Sequence, residues 1–246
     1  MGRSTVIRLR ADYEGSIIEM KVIAVVSGGI DSVTLAYQLK ANGHDLKMIS
    51  FDYGQRHRKE LDFAKRAASA LQVHWRPINL AAAGVGEILS GSALIDREVA
   101  VPEGHYAADN MRLTIVPNRN AIMLAIAYGL AVSSSADAVA FAVHSGDHPV
   151  YPDCRPEFIA TFEAMEHVAT GQAIELLAPF VRSTKVDIVA LGAKLGVPFQ
   201  ETWSCYLGEA VHCGACGTCH ERREAFQLAG VPDPTEYART PALPPA

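Results

Sequence analysis

Lys21-Val22-Ile23-Ala24-Val25-Val26-Ser27-Gly28-Gly29-Ile30-Asp31-Ser32-Val33-Thr34-Leu35 is the stretch on which the fold turns. Residues 22–26 are continuously apolar and mostly β-branched, the pattern of a strand buried on both faces. Two adjacent glycines end the run. Residues 32–41 then place Leu35 and Leu39 at i, i+4, and Asn42-Gly43 supplies a left-handed stop, so a helix is predicted there. Working outward, a strand is predicted over 46–51. An amphipathic helix over 55–71 has Leu61, Ala64, Ala68 and Leu71 on one stripe, and a third strand fits 73–80. Strands and helices alternating at this spacing make βαβ units. The fold class is therefore α/β, a doubly wound parallel sheet with right-handed crossovers.

The rhythm breaks over 81–113, where Gly84, Gly86, Gly91 and Gly104 interrupt any period; segments that long are usually lids or binding loops. It resumes with helices predicted over 118–132, 156–168 and 184–195 and a strand over 138–143. No internal repeat occurs. The apolar run 121–132 is shorter than the roughly 20 residues that cross a bilayer, so no membrane span is expected. Residues 1–20, with Arg3, Arg8, Arg10, Asp12 and Glu14, lack a secretory apolar core and read as an N-terminal extension. The proline-rich end, 231–246, reads as an extended tail.

The chain has 246 residues, 49% of them apolar, and 22 basic against 27 acidic side chains give a net charge of −5. That size buries a sizeable core without disulfides. The acidic balance disfavours nucleic acid or an anionic membrane as partner. Five cysteines is an odd number, and four of them crowd into 205–219, which favours a metal site in a reducing compartment, hence a cytoplasmic protein.

The Ser27–Ser32 turn is suited to an anion, because glycines allow unusual backbone conformations and a helix start offers unpaired N–H groups and a positive dipole end. The dipole alone contributes about 0.3–1 kcal/mol, so several amides and the Ser27 and Ser32 hydroxyls must act together on a pyrophosphate. The plainer reading is a tight strand-to-helix turn with Asp31 as a cap. Neither G-x-x-x-x-G-K-[ST] nor G-x-G-x-x-G is present, which excludes the common phosphate-loop and dinucleotide signatures.

Cys205-x7-Cys213-x2-Cys216-x2-Cys219 offers four thiolates at spacings that suit tetrahedral zinc, closed and therefore structural. The competing reading is an iron–sulfur cluster, but the x3-Cys-Pro continuation of the ferredoxin run does not follow Cys219. Cys154 stands apart and reads as a buried small residue.

The Ser-Gly-Gly-Ile-Asp-Ser turn resembles the PP-loop of ATP pyrophosphatases, which implies that Val26, Ser27, Gly28, Gly29, Ile30, Asp31, Ser32, Val33, Thr34 and Leu35 wrap the phosphates of ATP. Further motifs are Phe51-Asp52-Tyr53-Gly54-Gln55-Arg56-His57, Val116-Pro117-Asn118-Arg119-Asn120, Tyr151-Pro152-Asp153-Cys154-Arg155-Pro156-Glu157-Phe158 and Trp203-Ser204-Cys205-Tyr206. With the cysteine run they resemble the 7-cyano-7-deazaguanine synthase family over about residues 21–230. The resemblance implies an adenine nucleotide α-hydrolase (PP-loop) domain over 21–200 and a zinc lobe over 201–230. It implies two successive adenylations that take 7-carboxy-7-deazaguanine and ammonia through an amide to a nitrile, and a homodimer. Free ammonia is the expected nucleophile, since the chain has no cysteine near its start and no room for a glutaminase domain.

Roles follow by chemistry under that resemblance. Asp31 is a candidate Mg2+ ligand or helix cap. Arg119 suits the α-phosphate, and Lys185 resembles the family lysine facing the acyl phosphate. Asp147 or Asp153 offers acceptors to the deazaguanine N–H groups, and Tyr151 or Phe158 a flat surface. Two departures bear on substrate: His148-Pro149-Val150 replaces a Ser-Gly pair, and Asn118 stands where glycine is common. A PP-loop enzyme acting on tRNA and a non-catalytic zinc-knuckle adaptor are the rival readings.

Overall fold

The computed structural model describes residues 19–106, 108–241 and 243. The extension expected over 1–20 thus lies outside the described residues except for Glu19 and Met20, as do residues 242 and 244–246 of the expected tail. Strands β1 (Lys21–Val25), β2 (Asp45–Asp52), β3 (His74–Asn79), β4 (Ala138–Ala140) and β5 (Glu175–Leu177) form one parallel sheet in the order β3-β2-β1-β4-β5. The principal helices among the described residues are α1 (Ile30–Ala41), α2 (Glu60–Leu71), α3 (Arg119–Ser133), α4 (Pro156–Thr170), α5 (Lys185–Lys194) and α6 (Gly217–Ala229).

Side chains on a strand alternate between faces, and both faces here are covered. Val22, Ala24 and Val26 enter one core with Leu46, Met48, Ala138 and residues of α1, α5 and α6. Ile23 enters the other with Ile49, Phe51, Val139 and residues of α3 and α4. Together with the turn before it, α3 is long and apolar enough to cross a membrane by length and composition (Arg112–Ser133, mean hydropathy 1.3). Its Met123, Leu124, Ala127, Tyr128 and Ala131 are instead buried against the sheet.

The elements depart from the predicted ones where side chains override periodicity. Helix α2 starts at Glu60 rather than 55, because Gln55 pins a turn: its Oε1 accepts the Tyr53 N–H at 2.9 Å and its Nε2 donates to the Phe51 carbonyl at 2.9 Å. Strand β4 stops at Ala140, although the Phe141 N–H still reaches the Leu177 carbonyl at 3.0 Å. Strand β5 and helix α6 were not predicted. The irregular segment after β3 folds into short helical turns and crosses to the cysteine lobe, where the Gly104 N–H donates to the Ala215 carbonyl at 2.8 Å. The chain beyond α6 returns over that lobe, pairing Tyr237 with His212.

Candidate active site and metal centre

The strand order reverses direction at β1, whose two neighbours lead away to opposite edges. In open α/β sheets the crevice beyond the carboxyl ends of such strands is where ligands bind. Here the crevice is bounded by the Ser27–Ser32 turn after β1 and by residues 141–147 after β4, and it runs on beneath Tyr53, Tyr106, Tyr151 and Tyr206.

The turn is folded for an anion. Ser32 Oγ accepts the Ser27 and Gly28 N–H groups at 3.2 and 3.3 Å and donates to the Gly29 carbonyl at 3.2 Å. No side chain caps α1 at Gly29, which leaves the first-turn amides for a ligand. Gly28 has φ of +99°, and a Cβ there would lie 2.2 Å from the Glu60 carbonyl, so only glycine fits. Val33, Thr34 and Leu35, expected to wrap phosphates, are fully buried on α1 and none lines the crevice.

Asp31 does not cap the helix with its side chain. Its Oδ2 lies 3.1 Å from Lys185 Nζ, while its Oδ1 is buried with no hydrogen-bond partner. A carboxylate oxygen left unpaired beside a phosphate cradle fits the chemistry of a magnesium ligand. Lys185 Nζ also lies 2.8 Å from Glu221 Oε2. Burial works against the lysine charge, but Asp31, Glu221 and Asp147 outweigh it and hold its pKa above the usual lysine value. His144 Nδ1 accepts the Gly146 N–H at 3.1 Å, so its Nε2 carries the proton toward Asp147 (3.4 Å), Asp31 (3.9 Å) and Glu221 (4.0 Å).

At the other end Arg119, first residue of α3, donates to Tyr53 Oη at 3.3 Å. Burial opposes its charge, yet Tyr53 and Tyr151 keep its pKa well above the ordinary value. Asn118 precedes it with φ of +56°, the left-handed region that glycine favours and asparagine tolerates. Burial raises Glu60 to about 7 and lowers His57 to about 3, with Arg119 contributing to the His57 shift.

Among the predicted ring-binding residues, Asp147 and Tyr151 line the crevice. Asp147 accepts from Tyr106 Oη at 3.2 Å. Asp153 and Phe158 are placed elsewhere. Asp153 Oδ2 accepts the Asn120 N–H at 3.1 Å and so holds the start of α3. Phe158 is half-buried and packs against the core with its ring 5.5 Å from Phe162. Sequence reasoning missed Tyr53, His57, Glu60, His144 and Glu221. The first two lie inside a quoted motif, Glu60 lies three residues beyond it, and Glu221 follows the cysteine run on a helix whose charged surface gave no apolar stripe.

The sulfurs of Cys205, Cys213, Cys216 and Cys219 all lie within 4.8 Å of one another, a four-thiol metal site. Bonds of about 2.3 Å from zinc to sulfur give a tetrahedron with edges of about 3.8 Å. The Cys213–Cys219 and Cys216–Cys219 separations of 3.9 and 3.5 Å fit it. The Cys216 and Ala215 N–H groups donate to Cys213 Sγ, both at 3.3 Å, supporting a thiolate. The lobe is tied to the crevice, since the Trp203 N–H donates to the Gly28 carbonyl at 2.9 Å.

A parallel sheet carrying this turn at its switch point, beside a half-buried lysine and arginine, defines a nucleotide-binding α/β enzyme of the PP-loop type. Residues 21–230 match the family model described as queuosine biosynthesis protein QueC, and the chain belongs to that family. It is similar to the 7-cyano-7-deazaguanine synthases of Rhizobium johnstonii (61% identical over 89% of this chain and 92% of the relative) and Rhizobium meliloti (60%, with the same coverage). It is 57% identical to that of Brucella ovis over 89% of this chain and 94% of the relative.

Proposed function

We propose that this chain is a 7-cyano-7-deazaguanine synthase that converts 7-carboxy-7-deazaguanine and ammonia to the nitrile at the cost of two ATP. The observation that carries this reading is one crevice joining the phosphate turn, the Asp31–Lys185 pair and an arginine among tyrosines. The substrate carboxylate attacks the α-phosphorus of ATP and pyrophosphate leaves. Ammonia attacks the acyl adenylate, AMP departs and the amide forms. The amide oxygen attacks a second α-phosphorus, again releasing pyrophosphate. Loss of the nitrogen protons and departure of AMP then leave the carbon–nitrogen triple bond.

In this scheme the turn amides bind the leaving pyrophosphate. Lys185 and Arg119 meet the charge that builds up on the α-phosphoryl group and its oxygen neighbours. Asp147 accepts from the ring N–H groups and Tyr151 packs on the ring. Asp31 would hold Mg2+, which supplies charge neutralisation on the phosphate oxygens, and the four cysteines would hold one structural zinc. A PP-loop domain over 21–200 and a zinc lobe over 201–230 are the corresponding units. Exposed Met165 and Val168 on α4 support a homodimer, which a monomer mass in light scattering would remove.

The test is pyrophosphate release with 7-carboxy-7-deazaguanine, ammonium, magnesium and ATP. Two AMP per nitrile are expected, with ammonium salts replacing any need for glutamine. Pyrophosphate release that ignores the deazaguanine would sink the reading.

A further inference from the structure

We propose that Glu221 is a positioning residue of the reaction, the carboxylate that keeps the Lys185 ammonium at the phosphate turn. The proposal rests on the catalytic reading of Lys185 above. A lysine side chain is flexible, so fixing its ammonium at one point takes partners that offset the lost freedom. Lys185 has two, Asp31 at 3.1 Å and Glu221 at 2.8 Å, with all three side chains largely buried.

The two carboxylates are not equivalent. Asp31 has an orphaned oxygen and belongs to the phosphate-binding turn, so it is the one drawn toward a nucleotide-bound cation. Glu221 stands outside that turn: its Oε2 holds the lysine at 2.8 Å, and its Oε1 faces His144 Nε2 at 4.0 Å. Its backbone is firmly anchored. Its neighbour Arg222 is fully buried and donates to the Phe199 carbonyl (2.8 Å), Thr202 Oγ1 (2.9 Å), Ser204 Oγ (3.1 Å) and Thr235 Oγ1 (2.6 Å). Helix α6 begins inside the cysteine run, so the same helix carries a sulfur ligand, Cys219, and the lysine's partner.

Four proteins test this: Glu221→Gln, Glu221→Asp, Lys185→Ala and the Glu221→Gln/Lys185→Ala double variant. Misplacement of a reacting charge by about 1 Å costs on the order of a hundredfold, so Glu221→Gln should lower kcat by about ten- to a hundredfold. KM for ATP should stay within about threefold, because the turn itself is intact, and Glu221→Asp should recover part of the rate. Acetylation of Lys185 by acetic anhydride, read by peptide mass spectrometry, should quicken severalfold in Glu221→Gln while Lys40 and Lys194 react as in the wild type. In the Lys185→Ala background Glu221→Gln should cost nothing further.

Wild-type kcat in Glu221→Gln, unchanged Lys185 acetylation, or a double variant slower than Lys185→Ala would overturn the proposal. If Glu221→Gln does not fold, Glu221→Asp supplies the same comparison. Wild-type turnover by Lys185→Ala would remove the lysine reading itself and this role with it, whereas an inactive Lys185→Ala beside a fully active Glu221→Gln removes only the role of Glu221.

Discussion

Lys185 Nζ and Asp31 Oδ2 lie 3.1 Å apart, so the first turn of α5 closes onto the first turn of α1 across the top of the sheet. Replacing Lys185 with Met keeps the packing of the stem and removes the charge. Electrostatic groups aimed at developing charge are worth about 10²–10³ in kcat. That loss is expected in AMP release, with little change in ATP binding by calorimetry. Asp31→Asn should instead raise the magnesium concentration needed for half-maximal rate.

The two glycines of the turn should behave differently. Gly28→Ala places a methyl 2.2 Å from the Glu60 carbonyl at a φ of +99°, and such strain costs of order 1–3 kcal/mol before the clash is counted. A clear fall in urea midpoint is expected. At Gly29 a Cβ meets the Trp203 carbonyl only at 3.4 Å, so Gly29→Ala should fold within about 1 kcal/mol of wild type and lose ATP affinity instead.

The strand, glycine pair and helix of residues 21–41 were legible because their periodicity and punctuation are local. Four cysteines in fifteen residues announced a metal site for the same reason. Strand β5 escaped because three residues beginning with a glutamate carry no alternation. Asp153 and Phe158 were candidates for the substrate by side-chain type, as an acceptor and a flat surface, whereas a free helix start and a neighbouring phenylalanine claim their side chains. Glu60 and His57 were invisible as ionisable groups, since their chemistry comes from burial beneath elements distant in sequence.

That burial gives a pH test. Glu60 is raised from 4.5 to about 7, so between these values the native protein keeps a proton the unfolded chain has lost, and stability falls as pH rises through the window. His57 is lowered from 6.5 to about 3, so over that range the unfolded chain holds the extra proton and stability rises with pH. The two contributions oppose each other between about pH 4.5 and 6.5. Glu60→Gln should leave a rising limb there and His57→Asn a falling one, each at most about 1.4 kcal/mol per pH unit in urea unfolding series. Parallel profiles for wild type and both variants would contradict the assignment.

Metal analysis should return one zinc per chain, and the protein should show no visible absorbance; a brown protein would mean iron and sulfur. Structural zinc contributes roughly 10–16 kcal/mol in small peptides, so Cys216→Ser should lose the ion and the lobe's fold. Because Trp203 donates to the Gly28 carbonyl, ATP affinity should fall in the same variant even though no cysteine touches the turn.

The position of α6 has a consequence in time as well as in space. The strand and turn of residues 21–32 leave the ribosome before the rest of the sheet, and Trp203 and Glu221, which complete the surroundings of Gly28 and Lys185, follow the last strand. A nascent chain therefore acquires an anion cradle long before it acquires a fixed ammonium group above it. The carboxylate that fixes the Lys185 ammonium is thus supplied by a helix synthesised after every strand of the sheet it stands over.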